Sequence, residues 1–143
     1  MENGILDKIS FRPNIDALAK KLRIKPGSRY LPELKEMLST AQTIARPKAA
    51  FRVGYIDDKT QNEVKINGKS FESRVLRVNL EKVQRVFFYL ATCGEELETW
   101  SNLFDDLLQH YWADAIKEIA LRSATRDIDG YIKEQFQLGK TTT

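Results

Sequence analysis

The chain contains few of the residues from which catalytic and metal sites are most often built. Its 143 residues include one cysteine, Cys93, and one histidine, His110. A single cysteine excludes an internal disulfide and a metal site made only of cysteines within one chain. His110 has no second histidine four residues away, the spacing typical of a helical zinc site. We therefore expect no metal site and assign no catalytic residue.

The sequence also lacks the features of membrane, exported and nucleic-acid-binding proteins. It has no apolar run of about 18 residues or more, and its start lacks the basic and then apolar layout of a signal peptide. We predict a cytoplasmic protein with no membrane partner. A basic cluster near the start lacks the interleaved aromatic residues that stack on bases, apart from Tyr30, so we predict no nucleic-acid partner. The cluster consists of Lys20, Lys21, Arg23, Lys25 and Arg29.

The charges are divided unevenly along the chain. Residues 1–90 contain 18 Lys and Arg against 10 Asp and Glu, a net charge of +8, whereas residues 91–143 contain 5 against 10, a net charge of −5. Such asymmetry would serve docking of the first part on an acidic partner. It more often reflects packing of one segment on the other, and we favour that interpretation. The length and the 42% hydrophobic content predict a single globular domain, residues 1–143.

Two helices are predicted before any sheet. Pro13 and Asn14 introduce the first, which has apolar residues at helical spacing from Ile15 to Leu22. The second is predicted from about Pro32 to Ala45, where Pro47 ends it.

The middle of the chain changes to the period of a β-strand. Phe51, Val53 and Tyr55 alternate with other residues and predict a half-buried strand. Asn67 and Gly68 then form a strong hairpin signal, because both residue types tolerate positive φ. Two or three short antiparallel strands are expected here, and Asn79 is a candidate cap for one helical turn.

The segment from Arg85 to Glu98 carries the most information. Val86–Ala91 is an apolar run whose length predicts a strand buried on both faces. Thr92 and Glu95 have the spacing of a capping box, which predicts a helix beginning near Cys93. Acidic residues in its first turn favour the helix dipole but repel phosphate, which argues against a nucleotide phosphate loop.

A long apolar stripe follows and predicts a long helix that docks on the sheet, with Leu107 in the core and an end near Gly139. The stripe contains Leu103, Phe104, Leu107, Leu108, Tyr111, Trp112, Ala115, Ile116 and Ile119.

The Thr92–Glu98 segment resembles the activation domain of vitamin B12-dependent methionine synthase, in particular its short free-standing relatives. Three other segments resemble that family in the same order: Ile44–Ala49, Ile66–Ser73 and Asp114–Ile116. The resemblance covers roughly residues 44 to 140. It implies an α+β fold in which long helices pack on a small, strongly bent antiparallel sheet.

The resemblance also implies a function. The family binds S-adenosylmethionine beside cobalamin and returns oxidised cob(II)alamin to its working state by reduction and methylation. This chain would then be a cobalamin-linked accessory domain, and an enzyme at most as part of a cobalamin-dependent methyltransferase system. Its partner would be a corrinoid protein or methionine synthase. The ligand-binding candidates are Thr92, Gly94, Glu95, Asp127, Asp129 and Tyr131.

The chain departs from the family pattern at its end. In the relatives, the segment corresponding to Phe136–Thr143 leads into a Pro-Gly loop and further strands that hold much of the S-adenosylmethionine contact, and this sequence stops before that loop. The chain would then be either the N-terminal part of a longer protein or a shortened form that has lost the methyl donor, and we favour the first. Two alternatives stay open: a non-enzymatic module that docks on a corrinoid protein or methionine synthase through its basic first part, and a metabolite-binding protein of unknown ligand.

Overall fold

The computed structural model of the protein describes residues 3–80, 83 and 85–136. Their elements, in chain order, are β1 (Asn3–Leu6), α1 (Ile15–Lys21), α2 (Leu31–Ile44), β2 (Lys48–Lys59), β3 (Glu63–Ile66), β4 (Lys69–Glu72), α3 (Arg74–Asn79), β5 (Arg85–Thr92), α4 (Glu95–Ser101) and α5 (Leu107–Gln135). Helices and one small antiparallel sheet make an α+β fold, which confirms the predicted class. None of the helices in these residues is long and apolar enough to cross a membrane.

The described residues group into two compact units. The sheet unit contains residues 3–4 and the described part of 50–89, and the helical unit contains residues 5–49 and 90–136. Strands β2 and β5 each have residues in both. The prediction of a single domain stays a prediction.

Local signals define the first two helices of the helical unit. The Asn14 Oδ1 atom accepts hydrogen bonds from the backbone N–H groups of Asp16 and Ala17 at 2.8 and 3.1 Å, so Asn14 is the N-cap of α1. α2 has a proline in its first turn and ends where Ala45 takes an extended backbone conformation before Pro47. The predicted start of α1 and both predicted ends of α2 are confirmed within one residue, whereas α1 ends at Lys21, earlier than the predicted stop at Lys25–Ser28.

The core of the helical unit lies between α1, α2, α4 and the first half of α5. Trp112 is an anchor, because its side chain is 2% exposed and its ring meets Tyr30 edge-on at 5.9 Å. Apolar side chains from each helix surround it. The buried members include Leu18, Leu34, Met37, Leu38, Ala41, Leu97, Trp100, Ala113, Ile116 and Ala120.

The predicted continuous helix after Thr92 is wrong, because residues 102–106 separate α4 from α5. The Asp106 Oδ2 atom accepts a hydrogen bond from the Gln109 backbone N–H at 3.0 Å and caps the new helix. Leu103 and Leu107 beside this break are 73% and 85% exposed, so the prediction of a core position for Leu107 is also wrong. The predicted end near Gly139 lies outside the described residues.

The sheet unit is built around a hairpin that its turn residues specify. Asn67 and Gly68 have φ values of 51° and 79°, as a tight turn between β3 and β4 requires. The Asn67 Oδ1 atom accepts from the Tyr55 backbone N–H at 2.9 Å, and the Gly68 N–H donates to Asp57 Oδ2 at 2.6 Å, which fastens the turn to β2. The strand order is β1-β2-β3-β4, with β5 also paired to β2.

Two irregularities distinguish this sheet from the predicted one. β2 carries a bulge between Ile56 and Asp58, which increases its local twist. On the predicted inward face of β2, Phe51 and Val53 are buried, but Tyr55 is 46% exposed. Asn79 is the last residue of α3, whose N-cap is Ser73, so its predicted role as an N-cap is wrong.

β5 confirms the predicted strand but not its burial. Phe88, Tyr89 and Leu90 are 42%, 37% and 79% exposed, so the strand is not covered on both faces. The apolar run therefore reflects the preference of aromatic and branched residues for extended backbone rather than a buried position.

Candidate functional site

A glycine connects β5 to α4 and changes the direction of the chain there. Gly94 is buried and has φ 97° and ψ 150°, a region that only glycine enters at low cost. The Thr92 Oγ1 atom accepts a hydrogen bond from the Gly94 backbone N–H at 3.1 Å. The predicted capping box is wrong, because the Thr92 hydroxyl forms a short turn with the N–H of Gly94 instead of capping the N–H of Glu95. Helix α4 begins only at Glu95, and its N-cap, Gly94, makes no side-chain hydrogen bond.

Gly94 is also a point of close backbone approach. A Cβ atom placed on Gly94 would lie 2.5 Å from the Arg46 carbonyl oxygen and 2.9 Å from Glu96 Oε1. Pro47, next to Arg46, is fully buried. The chain around residues 45–47 therefore packs directly against the junction, and no larger residue fits at position 94 without displacement of backbone.

The carboxylates of the junction have different environments. Glu95 is exposed at the first position of α4, whereas Glu96 Oε1 is buried and has no hydrogen-bond partner among the described residues. An unpaired buried carboxylate oxygen is costly, and a donor from a ligand or water would relieve that cost. Thr92 and Glu95 thus present an exposed hydroxyl and an exposed carboxylate beside one unsatisfied acceptor.

A lysine connects α4 to α5 one turn further along α4. The Lys117 Nζ atom lies 3.2 Å from Glu98 Oε2 and 3.3 Å from Asp114 Oδ1, and its side chain is 18% exposed. Partial burial lowers the pKa of Lys117, but hydrogen bonds from its ammonium group to Glu98 and Asp114 outweigh this and raise the pKa overall. The lysine therefore stays charged and holds the two helices together.

Cys93 lies at the junction as a partly buried thiol. Burial raises its pKa, the negative charge of Glu98 raises it further, and Lys117 opposes both. A raised pKa disfavours the thiolate, which is the reactive form. The environment of Cys93 therefore favours the neutral thiol over the thiolate.

This gives a testable result for Cys93. We expect iodoacetamide to alkylate Cys93 more slowly in the folded protein than in urea at the same alkaline pH. Because the pKa is raised on folding from the ordinary value of 9.0, the unfolded state should ionise first, and stability should fall as pH rises above about 9. Equal alkylation rates in the folded and unfolded chain would contradict this environment.

His110 lies near a carboxylate of its own helix. Its Nε2 atom lies 3.8 Å from Asp114 Oδ2, and both side chains are about half exposed. Across residues 3–80, 83 and 85–136, no three His, Cys, Asp or Glu side chains are arranged to hold a metal ion.

The remaining candidates lie on the second half of α5 and do not share one face. Asp127 and Tyr131, four residues apart, project from the side of α5 that carries the buried Ala124 and Ile128. Asp129 points away from that side, since two residues correspond to about 200° of rotation, and pairs with Lys133 at 2.8 Å. Asp127 and Tyr131 therefore remain candidates for ligand binding on one side of α5. Asp129 instead forms an ion pair with Lys133 on the helix surface.

The two groups of candidates are separated along α5. Lys117 is the residue of α5 that pairs with Glu98 of α4. Asp127 lies ten residues further along α5, about 15 Å along the helix axis. The structure brings Thr92, Gly94 and Glu95 together at the junction and places Asp127 and Tyr131 further along α5. Sequence reasoning missed the roles of Arg46 and Lys117 and interpreted Glu96 as a solvated helix charge, although its Oε1 atom is buried. No sequence signal indicated the close approach of Arg46 to Gly94.

The chain matches no protein-family model and no curated protein.

Proposed function

We propose that this chain is an accessory domain of a cobalamin-dependent methyltransferase system, related to the reactivation domain of B12-dependent methionine synthase. The observation that carries the proposal is that three of the four segments resembling that family meet around α4. Arg46 of the first contacts Gly94 of the second. Lys117 joins Glu98, also in the second, to Asp114 of the third. Segments far apart in sequence thus form one local structure.

The polar groups at the junction suit the proposed ligands. Thr92 and Glu95, both exposed, present oxygen acceptors and a negative charge. Such a set favours cationic and amide donors and disfavours phosphate. S-adenosylmethionine carries an ammonium and a sulfonium group, and the corrin ring of cobalamin carries amide side chains. When bound, these groups would supply the methyl-transfer chemistry, and the chain would supply hydrogen bonds and orientation.

Calorimetric titration of the 143-residue chain tests this proposal. The titrants are S-adenosylmethionine and the cobalamin-loaded corrinoid domain of a methionine synthase. We expect saturable binding of the corrinoid domain, weakened about tenfold or more by Glu95→Lys because a reversed charge at the contact is unfavourable.

Glu36→Lys is the matched control, because Glu36 is an exposed carboxylate on α2 of the same unit. It should leave binding unchanged. Absence of binding to the corrinoid domain would refute the proposal, and an equal loss in the two variants would show that the contact is not at the junction.

The alternative is a non-enzymatic module that docks on a corrinoid protein through its basic first part. The charge of +8 in residues 1–90 favours this alternative. Its signature is a complex that weakens steeply with salt, persists in Glu95→Lys and forms without binding of free cofactor.

A further inference from the structure

An unpartnered apolar surface lies at the start of α5. The α5 patch consists of Leu103, Leu107, Leu108 and Tyr111, which are 73%, 85%, 41% and 60% exposed. Four large apolar side chains exposed together form a patch on the order of a few hundred Å², the scale that marks interaction surfaces. None of the contacts that define the helical core uses these side chains.

The charges beside the α5 patch restrict its partner. Asp105 and Asp106 are exposed beside it, while the nearby Asp114 already pairs with Lys117. Residues 91–143, to which the patch belongs, have 10 acidic against 5 basic residues. An apolar surface with an acidic rim is complementary to an apolar surface with basic neighbours.

The chain itself carries such a surface on α3. The α3 patch consists of Arg74, Val75 and Val78, all exposed, with Val75 and Val78 at 72% and 59%. α3 contains two arginines and no acidic residue. The Arg77 Nε atom donates a hydrogen bond to the Thr60 carbonyl oxygen at 2.6 Å, and the Ser73 hydroxyl caps the helix, so α3 is held with both valines facing outward.

We propose that the α5 patch of one copy binds the α3 patch of a second copy. Apolar side chains meet at the centre, and Arg74 meets the acidic rim. The contact joins two different surfaces and is therefore heterologous, so every copy offers both halves. Because each patch is small, the association is weak and salt-sensitive. This inference is independent of the proposed function.

Sedimentation velocity over a dilution series tests the proposal. The wild-type chain should show a mean mass that rises with concentration and falls with added salt. Val75→Asp blocks the α3 patch and Leu107→Asp blocks the α5 patch, and each should weaken self-association at least tenfold. Both positions are exposed, so circular dichroism should show unchanged folding. Leu121→Asp, at an exposed position elsewhere on α5, is the control and should associate as the wild type does.

Mixing the two blocked variants gives the decisive result. The Val75→Asp chain retains an intact α5 patch and the Leu107→Asp chain retains an intact α3 patch, so the mixture should form a complex that neither variant forms alone. A wild-type chain that stays monomeric at every concentration would overturn the proposal. Normal self-association of Val75→Asp would also overturn it, because the α5 patch would then bind some other surface.

Discussion

Gly94→Ala is expected to lower the free energy of unfolding by about 3 kcal/mol, the sum of backbone strain and steric overlap, each of which typically costs 1–3 kcal/mol. The strain arises because φ at Gly94 is 97°. The overlap arises because the new Cβ would lie 2.5 Å from the Arg46 carbonyl oxygen, a backbone atom that a rotamer change cannot move. Urea unfolding followed by circular dichroism measures the change.

Two glycines of the same unit provide controls that separate these causes. Gly27 has φ 82° with nothing near its Cβ position, so Gly27→Ala adds strain without overlap and should cost about 1 kcal/mol. Gly130 lies within α5 in open space, and Gly130→Ala should stabilise the protein by about 0.5–1 kcal/mol because alanine favours helix. If Gly94→Ala costs no more than Gly27→Ala, the close approach to Arg46 is not present in solution.

The Gly94 result also bears on the proposed function. The contact between Gly94 and Arg46 joins two of the segments that resemble the methionine synthase activation domain. Glycine at this position is thus explained by packing alone, and its place in the resemblance requires no contact with a ligand. For that reason the binding experiment uses Glu95, whose exposed side chain is free to change without loss of the fold.

Where signals were local, the sequence predicted structure well. Asn14 and Pro47 mark ends of α1 and α2 because a cap and a proline act on the backbone within a few residues. Asn67 and Gly68 specified their turn for the same reason. These residues determine conformation without reference to the rest of the fold.

The break between α4 and α5 could not be predicted from periodicity. Leu103 and Leu107 continue the apolar spacing, so the pattern alone indicates one helix through the region. The capping bond of Asp106 and the hydrogen bond between Gln109 and Glu33 of α2 fix the start of α5 instead. Apolar spacing does not distinguish residues that face the core of their own chain from residues on an uncovered surface.

The candidate site shows the same limit. Thr92 and Glu95 match a capping box in spacing, but the match assumes that residue 94 has helical backbone geometry. Its positive φ redirects the chain, so the Thr92 hydroxyl reaches the Gly94 N–H instead. The exposure of Phe88, Tyr89 and Leu90 likewise shows that the apolar run of β5 indicated a strand without indicating where that strand lies.

Leu97→Ala is expected to cost about 2–5 kcal/mol, as truncations of fully buried leucines do. Leu97 is 0% exposed and belongs to the helical core, so truncation leaves a cavity that surrounding helices fill only in part. Leu107→Ala removes the same atoms from a side chain that is 85% exposed and should change stability by less than about 0.5 kcal/mol.

Leu97 and Leu107 together test where the core ends. Leu107 lies in the apolar stripe that predicts a long helix with Leu107 in the core, and that prediction gives Leu107→Ala a large cost similar to that of Leu97→Ala. The structure gives them different costs, because α4 ends at Ser101 and α5 begins with Leu107 on its outer face. Urea unfolding should be measured at protein concentrations low enough to prevent self-association, since the α5 patch includes Leu107. A large cost for Leu107→Ala under those conditions would mean that the patch is buried within the monomer, which would refute both the helix break described here and the proposed contact between copies.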